Sequence, residues 1–226
     1  MKTKGIILLL VALLFSSCIV KSLQPFYTKG SLSFNEKLLG NWVDNKKGEW
    51  NVESIKSKME EDEENGIKLS KEELKVFEIY KEGYHITYSK KEKEAGFIAM
   101  PFKIKEQYFL DFIPIEIEDD EINSLAAEHL LKTHSVAKLD TNSEVGISLS
   151  WLSEEHIKDL FEDQKIRLKH ENVGFQQDLL ITASSEELQA FLKKCVEAEL
   201  FNKYDKKDKK WKSSDKLNLI KANAKP

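Results

Sequence analysis

The sequence predicts an α+β domain that is mainly antiparallel β, a barrel or curved sheet with two late helices packed on it. Three observations carry this. Short segments alternate apolar and polar residues along much of the chain, the signature of half-buried strands. The two stretches of clear helical spacing both fall late. Among the 226 residues, 12 Phe, 6 Tyr and 4 Trp supply a sizeable core, while 9 Gly and 4 Pro are too few for a collagenous or low-complexity chain.

The strands follow in order. Val145, Ile147, Leu149 and Trp151 alternate with Gly146, Ser148 and Ser150, and Ile113, Ile115 and Ile117 with Pro114, Glu116 and Glu118. Further strands are read at Tyr84–Tyr88, Phe97–Lys105, Tyr108–Phe112, Ser135–Leu139, Ile166–Glu171 and Asp178–Thr182. Around 75–81 two signals compete: Ser70 and Glu73 form a capping box for a helix, but Val76-Phe77-Glu78-Ile79-Tyr80 is strand-like in composition, and the reading favours a strand. Five consecutive acids, Glu60 to Glu64, read as an exposed loop; they lack the alternation and glycine turn of a calcium site.

The first helix starts at Ser153 and runs to about Asp163, with Ile157, Leu160 and Phe161 on one face and His156 exposed in its first turn. In the second, Ser184 and Glu187 supply a capping box, and Leu188, Phe191, Leu192, Cys195 and Val196 form the apolar stripe. Cys195 therefore reads as a buried, inert thiol.

At the N-terminus, Lys2 and Lys4 precede an apolar run from Gly5 to Phe15, which is too short to span a bilayer, and Leu14-Phe15-Ser16-Ser17-Cys18 closes it. These residues resemble a bacterial lipoprotein signal. The resemblance implies cleavage before Cys18, acylation of that cysteine (palmitate-type chains), and a stable membrane anchor, since one chain alone holds only marginally. With no acidic residue in Ile19-Val20-Lys21-Ser22, it also implies the outer membrane, with the leaflet open. The expected organisation is a signal peptide at 1–17, a lipidated tether at 18–34, a globular β-rich domain at 35–202 and a basic tail at 203–226.

Thirty-five Lys and Arg against 39 Asp and Glu give a net charge of −4, unevenly placed. Lys203–Pro226 holds nine lysines and three aspartates and reads as a solvated tail whose removal leaves stability nearly unchanged, the cluster Leu217, Leu219 and Ile220 excepted. A single arginine, Arg167, argues against phosphate or base recognition, so nucleic acid is not an expected partner. Two cysteines make no disulfide framework, and no spacing suggests a metal site or calls for a cofactor.

Phe34-Asn35-Glu36-Lys37-Leu38-Leu39-Gly40-Asn41-Trp42 resembles the opening of lipocalin-like barrels, where Gly-x-Trp enters the first strand. The resemblance implies that Gly40 and Trp42 mark the barrel floor, with Trp42 plugging it. Over most of residues 40 to 195 the chain is similar to uncharacterised, Bacteroidota-type envelope lipoproteins of Gram-negative bacteria. Tyr108-Phe109-Leu110-Asp111-Phe112, His129 to His134 and Ile181 to Gln189 carry that likeness. It implies no activity.

No phosphate loop, nucleophile elbow or His-Glu-x-x-His is present. By strand parity Asp111, His134 and His170 share faces with apolar neighbours, so all three are candidates to point inward. Together they could form an acid–base or metal site, or a structural hydrogen-bond network. Three functions follow: a lipid-anchored, non-enzymatic module holding an apolar or amphipathic ligand; an accessory subunit held by an envelope protein complex; and, ranked last, a hydrolase using Asp111 and the histidines.

Overall fold

Eight antiparallel strands close into a barrel in the order in which the chain supplies them. The structure is a computed structural model and describes residues 19–116, 131–143, 146–175, 177–205, 210–213 and 216–222. After the two-residue strand β1 (Lys21–Ser22), the wall is built from β2 (Gly40–Asp44), β3 (Glu49–Ser54), β4 (Tyr84–Lys90), β5 (Lys93–Ile104), β6 (Gln107–Glu116), β7 (His134–Ser143) and β8 (Gly146–Trp151). The ring closes far along the chain. The last strand, β13 (Lys216–Lys221), lies between β8 and β2, with Leu219 opposite both Ile147 and Asp44.

Between β8 and β13 the chain builds a covering layer. It comprises α3 (Glu154–Glu162), β9 (His170–Val173), β10 (Asp178–Ile181), α4 (Ser185–Glu197) and the hairpin β11 (Asn202–Asp205) and β12 (Lys210–Ser213). Strand β1 joins that layer to the barrel, pairing antiparallel with β7 and parallel with β10. Between β3 and β4 stands a helical hairpin, α1 (Ile55–Glu64) and α2 (Lys71–Tyr80).

The wall is therefore buried on both faces over part of its circumference. Inside, Trp42, Trp50, Tyr84, Leu110, Leu149 and Leu219 belong to one apolar cluster. Outside, Met100, Phe102 and Phe109 pack with Leu188, Phe191 and Cys195 of α4 and with Phe26 of the N-terminal segment. Phe102 and Phe109 stack with ring centres 5.3 Å apart. Burial pushes the Cys195 thiol up, in keeping with an inert core position.

The mainly antiparallel barrel and both late helices agree with the sequence reading. Four corrections go with that agreement. The segment expected as a basic tail supplies β13, whose Leu219 is 2% exposed. The flexible tether expected after Cys18 is ordered from Ile19: Val20 and Phe26 are buried, and Ser33 donates its N–H to the Pro101 carbonyl at 3.0 Å. Residues 71–80 are helical, because the Ser70–Glu73 capping box forms at both of its hydrogen bonds, 2.7 and 3.2 Å, and outweighs the β-branched composition. The acidic run belongs to α1, capped by Ser54; as a helix it keeps all five acids out of the core. Met1–Cys18 and His129 lie outside the described residues.

Closure by β13 sets the first test. Leu219→Ala should cost about 2–5 kcal/mol, the range for large-to-small core substitutions, measured by urea unfolding. Truncation before Lys216 should abolish the cooperative transition, because it frees the edges of β2 and β8 together. An unchanged transition in the truncated chain would show that the barrel does not need its last strand.

Candidate functional site

The two ends of the barrel differ in chemistry. At one end, Asn35 caps a 3₁₀ turn (Glu36–Leu38) that crosses the opening, its side chain accepting from the Lys37 N–H at 3.1 Å. Tyr84, fully buried, ties this turn down. Its hydroxyl accepts from the Asn35 N–H at 2.8 Å and donates to the Asn35 carbonyl at 3.0 Å. The Trp42 indole N–H donates to the Leu38 carbonyl at 2.8 Å, and the ring is 4% exposed. Gly40 begins the strand at φ +109°, a conformation that L side chains rarely adopt. The floor expected at Gly40 and Trp42 is thus closed, by Leu38 and Tyr84 as well as by Trp42.

The opposite end is open. Asp44 organises the β2–β3 turn: one carboxylate oxygen accepts from the N–H groups of Lys46 and Gly48 at 2.7 and 2.8 Å, and the other from the Trp50 indole at 3.0 Å. A Cβ at Gly48 would collide with the Tyr88 ring and the Asp44 carboxylate, so only glycine lets the turn pack there. Trp50 stands against Tyr88 at 4.8 Å, Phe97 meets Phe112 edge-on at 6.1 Å, and Phe112 meets Trp151 at 5.8 Å. These five rings, with Lys46 and Lys90, line a pocket of about 450 Å³. Small-molecule sites span roughly 300–1,000 Å³ and combine apolar walls with a few placed polar groups. An apolar body would rest on the rings, with a lysine within reach of a polar or anionic head.

The three titratable candidates do not converge. Asp111 is fully buried, but it points out of the barrel into the core beneath the N-terminal segment, with Phe109 on its face of β6. His134 Nδ1 lies 2.7 Å from one carboxylate oxygen, and the Phe26 N–H donates to the other at 2.7 Å. His170 sits three strand steps from His134, through the register His134–Ser22–Ile181–His170, about 14 Å at ordinary strand spacing. Its ring stacks on Phe161 at 3.8 Å, and its Nδ1 approaches the Leu168 carbonyl at 2.9 Å. It lines a separate, broad groove of about 910 Å³ with Arg167 and Lys169. Asp111 and His134 are brought together as a structural latch on the N-terminal segment, and no substrate can reach a carboxylate closed off in this way.

Sequence reasoning did not single out the mouth residues. The available signal was parity: Trp50, Tyr88, Phe97, Phe112 and Trp151 all stand near the same end of inward-facing alternations. Compared with known proteins, the chain matches no protein family, no curated protein and no solved structure.

Burial raises the Asp111 carboxyl above its ordinary range, with the His134 and Phe26 hydrogen bonds pulling the other way. An acid whose folded pKa is raised binds protons more readily in the folded state. Its contribution to stability is therefore full below the unfolded pKa and fades as pH rises through the folded one. The stability of the wild type relative to Asp111→Asn should accordingly decline from acid toward neutral pH, measured by urea unfolding at several pH values. Asp111→Ala should cost about 1–3 kcal/mol more than the Asn variant, because the Phe26 N–H loses its acceptor. A wild-type advantage that grows with pH would contradict the assignment.

Proposed function

We propose that the protein is a lipid-anchored, non-enzymatic module of the cell envelope that holds an apolar or amphipathic ligand in the open mouth of its barrel. The observation that carries this reading is the aromatic pocket: five rings from five strands converge at one end, while the other end is sealed. The lysines bias the ligand toward an anionic or hydrogen-bond-accepting head. Anchoring through acylated Cys18, at the outer membrane, is the part of the reading that rests on the lipoprotein-like signal.

A second reading has its own support. On and beside the α1–α2 hairpin, Ile67, Leu74, Val76 and Ile79 are 41–58% exposed, and neither helix buries a residue. Such a face suits contact with an envelope protein.

Protein beginning at Ile19 should bind an anionic apolar fluorophore, anilinonaphthalene sulfonate, saturably at about one site per chain and gain thermal stability by linkage. Lys46→Glu with Lys90→Glu should weaken binding about tenfold, equivalent to ~1.4 kcal/mol, while sparing the fold. Non-saturable binding, or binding indifferent to both the lysines and Trp151→Ala, would leave the interaction reading ahead.

A further inference from the structure

The first described residues are fixed to the barrel's open rim. Ile19 forms an antiparallel bridge with Ser153, just beyond the mouth end of β8, and Val20 donates its N–H to the Leu152 carbonyl at 3.4 Å. Val20 is 2% exposed, and β1 continues at once into pairing with β7 and β10. Ile19 itself lines the mouth pocket beside Phe112 and Trp151. Residue 18 therefore lies one Cα step, about 3.8 Å, from a pocket-wall residue. From Ile19 onward the chain is held at the rim, with none of the slack of a tether.

The rim has the chemistry of a membrane interface. Trp151 and Tyr88, both partly exposed, carry apolar rings with a polar edge, and Lys46 and Lys90 carry apolar stems with charged tips; both kinds of side chain favour the headgroup level. With the floor sealed by Leu38, Trp42 and Tyr84, the mouth is the open end of the barrel.

We propose that the barrel docks mouth-first on the bilayer entered by the Cys18 acyl chains, so that its ligand passes between lipid and pocket without crossing bulk water. This inference rests on the reading of the protein as a Cys18-anchored binding module. The partner is the lipid surface itself. The anchor removes the entropic cost of finding that surface, and the fixed Ile19 limits the orientations in which the barrel can sit on it.

The test uses full-length acylated protein purified from host membranes and reconstituted into phosphatidylcholine vesicles with brominated acyl chains. Flotation is read first. Single-tryptophan variants then retain either Trp151 or Trp42, the other three tryptophans being replaced by Phe. Vesicle lipid should quench Trp151 emission severalfold more than Trp42 emission. As a check independent of those substitutions, a Gly-Ser insert of about 20 residues between Cys18 and Ile19, with a reach of about 22–27 Å, should relieve most of the quenching of the natural tryptophans. Protein that floats but shows equal or no quenching at the two positions overturns the docking inference while leaving the anchor intact. The same holds for an acyl chain folded back into the pocket, which would shield Trp151 from vesicle lipid. Protein that fails to float removes the Cys18 anchor, and the inference falls with it.

Discussion

Closure of the barrel is the constraint on which the other features depend. Strand β13 reaches its place after the whole covering layer has been laid down, and it satisfies the edges of β2 and β8 at once through Leu219 and its neighbours. Without it the sheet would carry two free edges, and the interior that holds Trp42 and Trp50 would open to water. Because the ring is closed, its two ends become distinct places. One end is covered by the 3₁₀ turn held to Tyr84, and the other keeps Tyr88, Phe97 and Trp151 partly exposed.

The wall's second, outward-facing core has a mechanical consequence. α4 and the N-terminal segment around Val20 and Phe26 pack on the outer face of β5–β7, and Asp111 accepts the Phe26 N–H from inside that layer. A buried carboxylate is costly unless its lone pairs are met, and here both oxygens have partners, His134 and Phe26. The pair fixes where the N-terminal segment runs, and so where residue 19 meets the rim. The position of residue 19 at the rim and the geometry of the pocket are thereby coupled through one side of the barrel.

Much of the barrel was legible in the sequence because most strands have one buried face. In β4, read at Tyr84–Tyr88, Tyr84 and Ile86 are buried while His85 and Thr87 are partly exposed; β3 alternates as cleanly, with Trp50, Val52 and Ser54 buried, yet was not read as a strand. Where the covering layer buries both faces, that signal fails: Phe109, Leu110, Asp111 and Phe112 are all buried in succession, so parity could not say which of them faces the barrel interior. Asp111 and His134 share an environment, as their apolar neighbours suggested, but it is the outer core. His170 belongs to the covering layer, whose placement depends on long-range pairing that no local pattern encodes. The lysine-rich C-terminal stretch hid a strand because its lysines mask an alternation of only two inward residues, Leu217 and Leu219. The mouth was not legible, since its residues come from five strands that only closure brings together.

The central claim is that the open end of the barrel is a specific site for an apolar ligand. The most direct measurement follows the indole N–H resonances of the tryptophans by NMR while lauric acid is titrated into the protein. The account predicts that Trp50 and Trp151 shift saturably, reaching their limit near one equivalent, while Trp42, bonded to the Leu38 carbonyl at the sealed end, stays in place. Uniform non-saturating shifts, or movement of Trp42 without Trp50 and Trp151, would contradict it.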